Sequence, residues 1–329
     1  MEEIRLGTIG SGNIVHWVLD GVMLTEGIRL EAVYSRNMEK GKKLAQQYGA
    51  GKVYTDMDTF LADENVNFVY IATPNILHYE QAKRALEAGK NVMLEKPFCP
   101  RLDQARELVE LARAKNLILI DAVPTIFLPN LRILQEKLGE VGKLRLVMGN
   151  FSQYSSRYDQ LLAGEMTNVF NPDFAGGCLM DINFYNVYLN VLLFGKPQKA
   201  VYTPNLYEGK IDTSGILTMR YPDFASTAVG AKDTWGVNYF QIEGEKGFIY
   251  ADGGSVALTS IRVVTKNADE TFNVQTNPTR WVDEVQYMTR HLLDGDYAFF
   301  DRGLDVMLDV IETIENARKD AGIFFPCDL

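Results

Sequence analysis

From Ile4 to Ile120, short apolar runs alternate with segments whose apolar positions recur at helical spacing. Ile4–Ile9, Ile28–Tyr34, Asn65–Ala72, Asn91–Leu94 and Leu117–Ile120 read as strands. Between them Asn13–Met23 reads as a helix, and so does the stretch that Asn37 can cap and Gly49 can end. Asn75–Ala88 is a third helix, stopped by Gly89. Asp103–Lys115 is a fourth, with Ala105, Leu108, Val109 and Ala112 on one face. Strands alternating with helices predict an α/β fold, an N-terminal doubly wound parallel sheet with right-handed crossovers.

The rhythm changes after Pro124. Pro129–Leu138 looks helical, Lys143–Tyr154 is a long strand, and Gly177–Phe194 has helical length and ends at Gly195. Strand-like runs separated by Gly, Pro, Asn and Asp then fill the chain from Gln198 to Val274. Trp281–Leu293 and Arg302–Lys319 are late helices, the second with Val306, Val310, Thr313, Ile314 and Ala317 in register. This predicts a C-terminal α+β domain with a large, mostly antiparallel open sheet covered on one face by helices. The expected domains are 1–123 and 124–329, with the last helix available to pack back on the first.

The chain has 329 residues, of which 47% are hydrophobic, enough for two cores. Its net charge of −10 argues against nucleic acid or an anionic membrane as partner. No apolar run approaches the ~20 residues of a membrane span, and MEEIRLGTIG lacks the basic head and apolar stretch of a leader. Cys99, Cys178 and Cys327 form no CxxC pair, so neither a disulfide framework nor a zinc site is expected. They read as packing residues in a cytoplasmic protein. His16 and His291 have no partner pattern and read as structural, and no cluster resembles a metal site.

Candidate chemistry begins at Gly10-Ser11-Gly12-Asn13-Ile14-Val15, which follows a strand and opens a helix. Glycines there permit a tight turn and let backbone approach a pyrophosphate at the helix N-terminus, the arrangement of a Rossmann dinucleotide-binding domain. Val15 stands where a third Gly or Ala is usual. An NAD site commonly ends the second strand in Asp or Glu. Here Ser35 and Arg36 stand there, with Lys40, Lys42 and Lys43 beyond. A guanidinium and a hydroxyl suit a 2′-phosphate, which favours NADP with NAD still possible. The alternative is a solvated Arg36, or one stacked on adenine.

Ile71-Ala-Thr73-Pro74-Asn75-Ile-Leu-His78 leads into Ala85-Leu-Glu-Ala-Gly89-Lys-Asn-Val-Met-Leu-Glu95-Lys96-Pro97. With the Gly-rich turn, these motifs at these spacings resemble the Gfo/Idh/MocA oxidoreductases. The likeness covers the whole first domain and continues in Gly176-Gly177-Cys178-Leu-Met-Asp181-Ile-Asn183-Phe-Tyr185. There the family pattern is roughly G-G-G-x-x-x-D-x-G-x-H. Tyr185 replaces the His, as in a branch similar to glucose–fructose oxidoreductase and dihydrodiol dehydrogenase. The resemblance implies a dinucleotide held by Gly10, Gly12, Asn13 and Ile14, by Ser35 and Arg36, by Thr73, Pro74 and Asn75, and by Glu95 and Lys96. It implies Lys96, Asp181 and Tyr185 as the catalytic residues.

The residues themselves agree with those roles. Asp181 and Tyr185, four apart, share one helix face. A carbonyl that receives hydride needs a proton, and a phenol can give one if an ammonium such as Lys96 stabilises the phenolate. Packing beside Phe184, Tyr188 and Leu189 is the plain alternative for Tyr185, and a helix-start carboxylate for Asp181. His78 reads as a capping or packing histidine with a possible cofactor contact. Candidate substrate contacts in the second domain are Tyr154, Arg157 and Asn168. The expected protein is an NAD(P)-dependent dehydrogenase or reductase acting on the CH–OH or carbonyl group of a sugar, cyclitol or related diol, with a small polyol or carbonyl compound as its ligand. The resemblance further implies a homodimer or homotetramer through the open sheet. The rival is a non-catalytic, dinucleotide-binding ligand sensor of the same fold.

Overall fold

The structure is a computed structural model that describes residues 2–328. In chain order its elements begin β1 (Ile4–Ile9), α1 (Asn13–Met23), β2 (Ile28–Tyr34), α2 (Met38–Tyr48), β3 (Lys52–Tyr54), α3 (Met57–Leu61) and β4 (Phe68–Ile71). A 3-10 turn, Asn75–Leu77, leads into α4 (His78–Glu87), followed by β5 (Asn91–Glu95), α5 (Leu102–Ala114) and β6 (Leu119–Ala122). Then come α6 (Pro129–Lys137), β7 (Leu144–Ser152), α7 (Ser156–Leu162), a π-helical turn at Leu179–Asn183, and α8 (Phe184–Phe194). The strands β8 (Lys199–Tyr207), β9 (Ile211–Arg220), β10 (Ala225–Ala231), β11 (Tyr239–Gly244) and β12 (Gly247–Asp252) follow. Then come α9 (Gly254–Ala257), β13 (Ser260–Thr265), β14 (Asp269–Phe272), α10 (Arg280–Asp294), α11 (Tyr297–Asp320) and a 3-10 turn, Pro326–Asp328.

These elements form two compact units, Met1–Phe127 with Asn277–Leu308, and Leu128–Thr276 with Asp309–Leu329. The first is a six-stranded sheet in the order β3-β2-β1-β4-β5-β6, every pairing parallel. It is the doubly wound architecture, with its reversal of strand order between β1 and β4. Its central strand β4, Phe-Val-Tyr-Ile, is wholly buried because helices cover both faces. Val15, Val18, Leu19 and Val22 of α1 pack with Val285, Met288 and Leu292 of α10 against Tyr70, Met93 and Ile120. Burying each such aliphatic side chain is worth about 1.5–3 kcal/mol. Local signals set the helix ends: Asn37 Oδ1 accepts from Lys40 N, and Gly49 closes α2 with φ 75°.

The second unit is an eight-stranded sheet, order β14-β13-β12-β11-β7-β10-β9-β8. All its pairings are antiparallel except β10 with β7. The π turn and α8 cover one face of it through polar as well as apolar contacts. Asn183 Nδ2 donates to Ala228 O (3.0 Å), Asn186 Nδ2 to Val229 O (2.9 Å), and Ser226 Oγ donates to Asn190 Oδ1 (2.6 Å). All three asparagines are fully buried, and Ser255 Oγ also donates to Asn186 Oδ1. Among the described residues, no helix is long and apolar enough to cross a membrane.

Candidate active site

In the first unit β1, β4 and β5 end side by side, so Gly10, Thr73 and Lys96 emerge at one edge of the sheet. Ligands bind at this edge in such sheets. Gly10 has φ 127°, and a Cβ there would lie 2.3 Å from Ala72 O, so this position requires glycine. Gly12 is different. It is exposed, a Cβ would meet nothing within 4 Å, and it stands at the N-cap of α1. That cap makes no side-chain bond and the first turn carries no acid, so the leading N–H groups of the helix have no side-chain acceptor from the cap. An anionic pyrophosphate fits there, against backbone donors and the positive end of the helix.

Arg36, two residues after the end of β2, is exposed and makes no hydrogen bond or ion pair among the described residues. Ser35 is nearly buried, and its hydroxyl donates to Asn37 O (2.9 Å) and accepts from Asn37 N (3.2 Å). Its proton is therefore used in the turn, which leaves Arg36 as the donor to any 2′-phosphate. Thr73 is similarly engaged, donating through Oγ1 to Gln81 Oε1 (2.7 Å). Pro74 and Asn75 are half-buried beside it.

Glu95 and Lys96 leave the sheet in different directions. Glu95 is buried; Tyr70 Oη donates to its Oε1 (2.7 Å) and Lys96 N to its Oε2 (3.2 Å). Burial pushes the carboxyl up to about 6, against the pull of the Tyr70 bond and the Lys96 charge. Lys96 is half-buried, and the Lys96–Pro97 peptide is cis. His78 lies between the two motifs with Nδ1 3.0 Å from Pro97 O and Nε2 2.8 Å from Thr73 O. It is wholly buried, and burial pushes its pKa down. Its contacts are with backbone of both motifs.

Sequence reasoning missed other buried acids of this unit. Asp121 in β6 and Glu284 in α10 are buried with both carboxyl oxygens unbonded. Burial raises the pKa of each well above the ordinary value. Among the described residues no group of three or more His, Cys, Asp or Glu side chains could hold a metal ion.

In the second unit the helical segment predicted at Gly177–Phe194 opens with the π turn, which contains Asp181. Such turns are frequent at functional sites. Tyr185 follows in the first turn of α8, its ring 6.0 Å from that of Phe151 and 5.9 Å from that of Phe184. Asp181 Oδ2 accepts from Lys232 Nζ, a lysine not singled out from the sequence. Cys178, in the place of a glycine, is buried, and burial raises its thiol pKa. Of the candidate substrate contacts, Tyr154 donates to Asp159 Oδ1 (2.6 Å) and stacks on the exposed Trp235 at 5.7 Å. Arg157 and Asn168 are exposed. His16 bonds Tyr48 Oη (3.1 Å), and His291 bonds Asp296 Oδ2 (2.9 Å), both within the first unit.

A family model described as "Oxidoreductase family, NAD-binding Rossmann fold" (GFO_IDH_MocA) matches residues 4–122, and the GFO/IDH/MocA C-terminal domain matches residues 136–250. The chain belongs to the Gfo/Idh/MocA family. It is an NAD(P)-binding oxidoreductase of that family, a dehydrogenase or reductase acting on CH–OH groups. Among Gfo/Idh/MocA relatives, a scyllo-inositol 2-dehydrogenase (NADP(+)) of Bacillus subtilis is 30% identical over 329 residues, 99% of each chain. A trans-1,2-dihydrobenzene-1,2-diol dehydrogenase of Mus musculus is 28% identical over 226 residues, covering 67% of this chain and 65% of its own. The fold matches a 3-ketoreductase from Actinomadura kijaniata, solved with NADP and TDP-benzene, at a TM-score of 0.84. That match has 21% identity and covers 98% of this chain and 100% of the other.

Proposed function

We propose that the protein is an NADP-preferring dehydrogenase of a sugar, cyclitol or related diol. The observation that carries the cofactor preference is the exposed, unbonded Arg36 at the end of β2, where an NAD site places an acid. The full-length relationship to a scyllo-inositol 2-dehydrogenase (NADP(+)) supports the substrate class.

Within this reading, Gly12, Asn13 and Ile14 would hold the pyrophosphate through backbone N–H groups, and Arg36 the 2′-phosphate. Thr73, Pro74, Asn75, Glu95 and Lys96 would line the remaining edge. When bound, the nicotinamide supplies or takes up the hydride. Tyr185 moves the proton at the substrate oxygen, Lys96 provides positive charge as that oxygen becomes an alkoxide, and Asp181 accepts from a substrate hydroxyl.

We further infer a homodimer or homotetramer through the open sheet. Val201 pairs with Thr218, Ile216 with Val229 and Leu146 with Ala225, which puts the exposed Val201, Ile216 and Leu146 on one face. Light scattering reads the mass directly.

The deciding assay follows NADP(+) reduction over scyllo-inositol, myo-inositol and D-xylose, with NAD(+) in parallel. Turnover of at least one compound, faster with NADP(+), is expected. Tight NADPH binding with no turnover of any polyol or carbonyl compound would replace this reading by the sensor.

A further inference from the structure

Lys232 follows β10 directly and is 7% exposed. Its backbone is held on both sides: N donates to Thr213 O (2.8 Å), and O accepts from Ser155 N (2.9 Å). Its Nζ donates to Asp181 Oδ2, reaching across 51 residues of sequence. The pair is lopsided, with the lysine side chain 9% exposed and the aspartate 27%. The ion pair of Arg318 with Asp328 in the same unit is covered at both ends, 1% and 2%, as a purely structural pair would be. At Lys232 the ammonium lies behind and the carboxylate in front.

The neighbouring charges are otherwise committed. Asp233 Oδ2 accepts from Thr213 Oγ1 (2.7 Å) and Ser214 Oγ (2.9 Å). Asp212 Oδ2 accepts from Leu179 N (2.7 Å) and Tyr202 Oη (2.7 Å). The buried Cys178, Tyr185 and Tyr188 are the remaining titratable groups on the segment that carries Asp181. No second acid of this group bonds Lys232.

We propose that Lys232 is a positioning residue, a buried ammonium that fixes the Asp181 carboxylate in one orientation as the acceptor for a substrate hydroxyl. The inference rests on the reading of Asp181 given above and adds the group that aims it. A lone carboxylate on a π turn has several rotamers and gains from turning to water. Pairing with a lysine whose own backbone is fixed removes that freedom. The ion pair lies largely out of solvent and is little weakened by salt.

The test uses the full-length protein with NADP(+) and whichever of scyllo-inositol, myo-inositol and D-xylose it oxidises fastest. Four variants are compared with wild type: Lys232→Met, Lys232→Arg, Asp181→Asn and the double variant Lys232→Met/Asp181→Asn. Lys232→Met is expected to raise KM for the polyol about tenfold or more and to leave NADPH affinity within twofold. Lys232→Arg should recover most of the loss, which mere filling of space would not do. The double variant should be no worse than Asp181→Asn, because the two residues act as one unit. Lys232→Met kinetics within threefold of wild type would overturn the proposal, as would losses that multiply in the double variant. If Lys232→Met fails to fold, the double variant, which buries no unpaired charge, decides by the same comparison. Asp181→Asn within threefold of wild type, or no oxidation of any compound tested, defeats the reading of the site and this inference with it. Normal Asp181→Asn losses beside an indifferent Lys232→Met defeat this inference alone.

Discussion

Nδ1 of His78 lies 3.0 Å from the carbonyl oxygen of Pro97, 19 residues further along the chain. The other ring nitrogen faces Thr73 O, so one imidazole spans two motifs whose spacing the sequence displays but whose contact it does not. A neutral ring has one N–H to give, and burial keeps the ring neutral. His78→Phe should keep the volume and leave one of the two carbonyl oxygens without its donor, lowering stability by about 1–3 kcal/mol. The pKa of a buried neutral histidine is lower in the folded state than in the unfolded chain, so its contribution is present above about 6.5 and is lost as pH falls below it. Thermal melts from pH 8 to 5 should show a shallower acid loss in the variant than in wild type. An equal slope would remove His78 from the acid transition.

Arg36 is the second test. Arg36→Ala should weaken NADPH by about 1.5–3 kcal/mol and leave NADH nearly unchanged, because only the former has a 2′-phosphate to lose. Titration of both cofactors by fluorescence measures this. Equal losses would point to stacking on adenine instead.

Lys96→Ala should leave a folded protein that still binds dinucleotide, since in the proposed reading the pyrophosphate is held by backbone donors at Gly12 rather than by this side chain. Turnover should drop about 10²-fold or more. A steady-state assay showing a variant within threefold of wild type would take Lys96 out of the reaction.

Tyr185→Phe removes a hydroxyl and keeps the ring that packs on Phe151 and Phe184. The expected result is unchanged melting, near-normal NADPH binding and a kcat lower by about 10²–10⁴. Tyr185→His should restore part of the rate with an optimum at lower pH, because imidazole titrates near 6.5. Undiminished kcat in Tyr185→Phe would leave the tyrosine as a packing residue.

Glu284 supplies a stability test with the opposite sign. Burial raises its folded pKa above the unfolded value, so the protonated form is the one the fold favours. Stability is then greatest in acid and declines as pH rises from about 4.3, the ordinary carboxyl value. Glu95 adds to the same decline up to about 6. Glu284→Met should therefore raise Tm at pH 8 and matter much less at pH 4.5. A Tm gain that is the same at both values would show that the carboxyl is not protonated by the fold.

Most strands and helices of the first unit were legible because they are long enough to show their period. β1, α1 and β2 end at the residues the alternation predicts. The fourth strand was read as Asn65–Ala72 and spans Phe68–Ile71, since apolar composition does not reveal where pairing starts. β3, at Lys52–Tyr54, is too short to carry a pattern. The π turn at Leu179–Asn183 was invisible because α8, which follows it, is buried continuously from Phe184 to Val191, so a shift of phase has no polar face to displace. Within the candidate site, the residues that stand in contiguous motifs are the ones the sequence singles out. Lys232 was not, because its partner is 51 residues distant and a lone lysine after a strand has nothing to mark it. Nothing in the sequence marks Glu284 and Asp121, since burial of a charge is decided by tertiary packing alone.

The asparagines of the segment carrying Asp181 and Tyr185 have a consequence for evolution at this site. Apolar side chains hold a helix on a sheet but resist rolling and sliding only weakly, because neighbouring positions bury similar area. Asn183, Asn186 and Asn190, bonded to Ala228 O, Val229 O and Ser226 Oγ, act as a detent that admits one azimuth and one axial position. The oily contacts around them can drift in sequence without changing the direction in which Tyr185 is presented. A swap of all three for leucine would give a protein that still folds and has lost its aim.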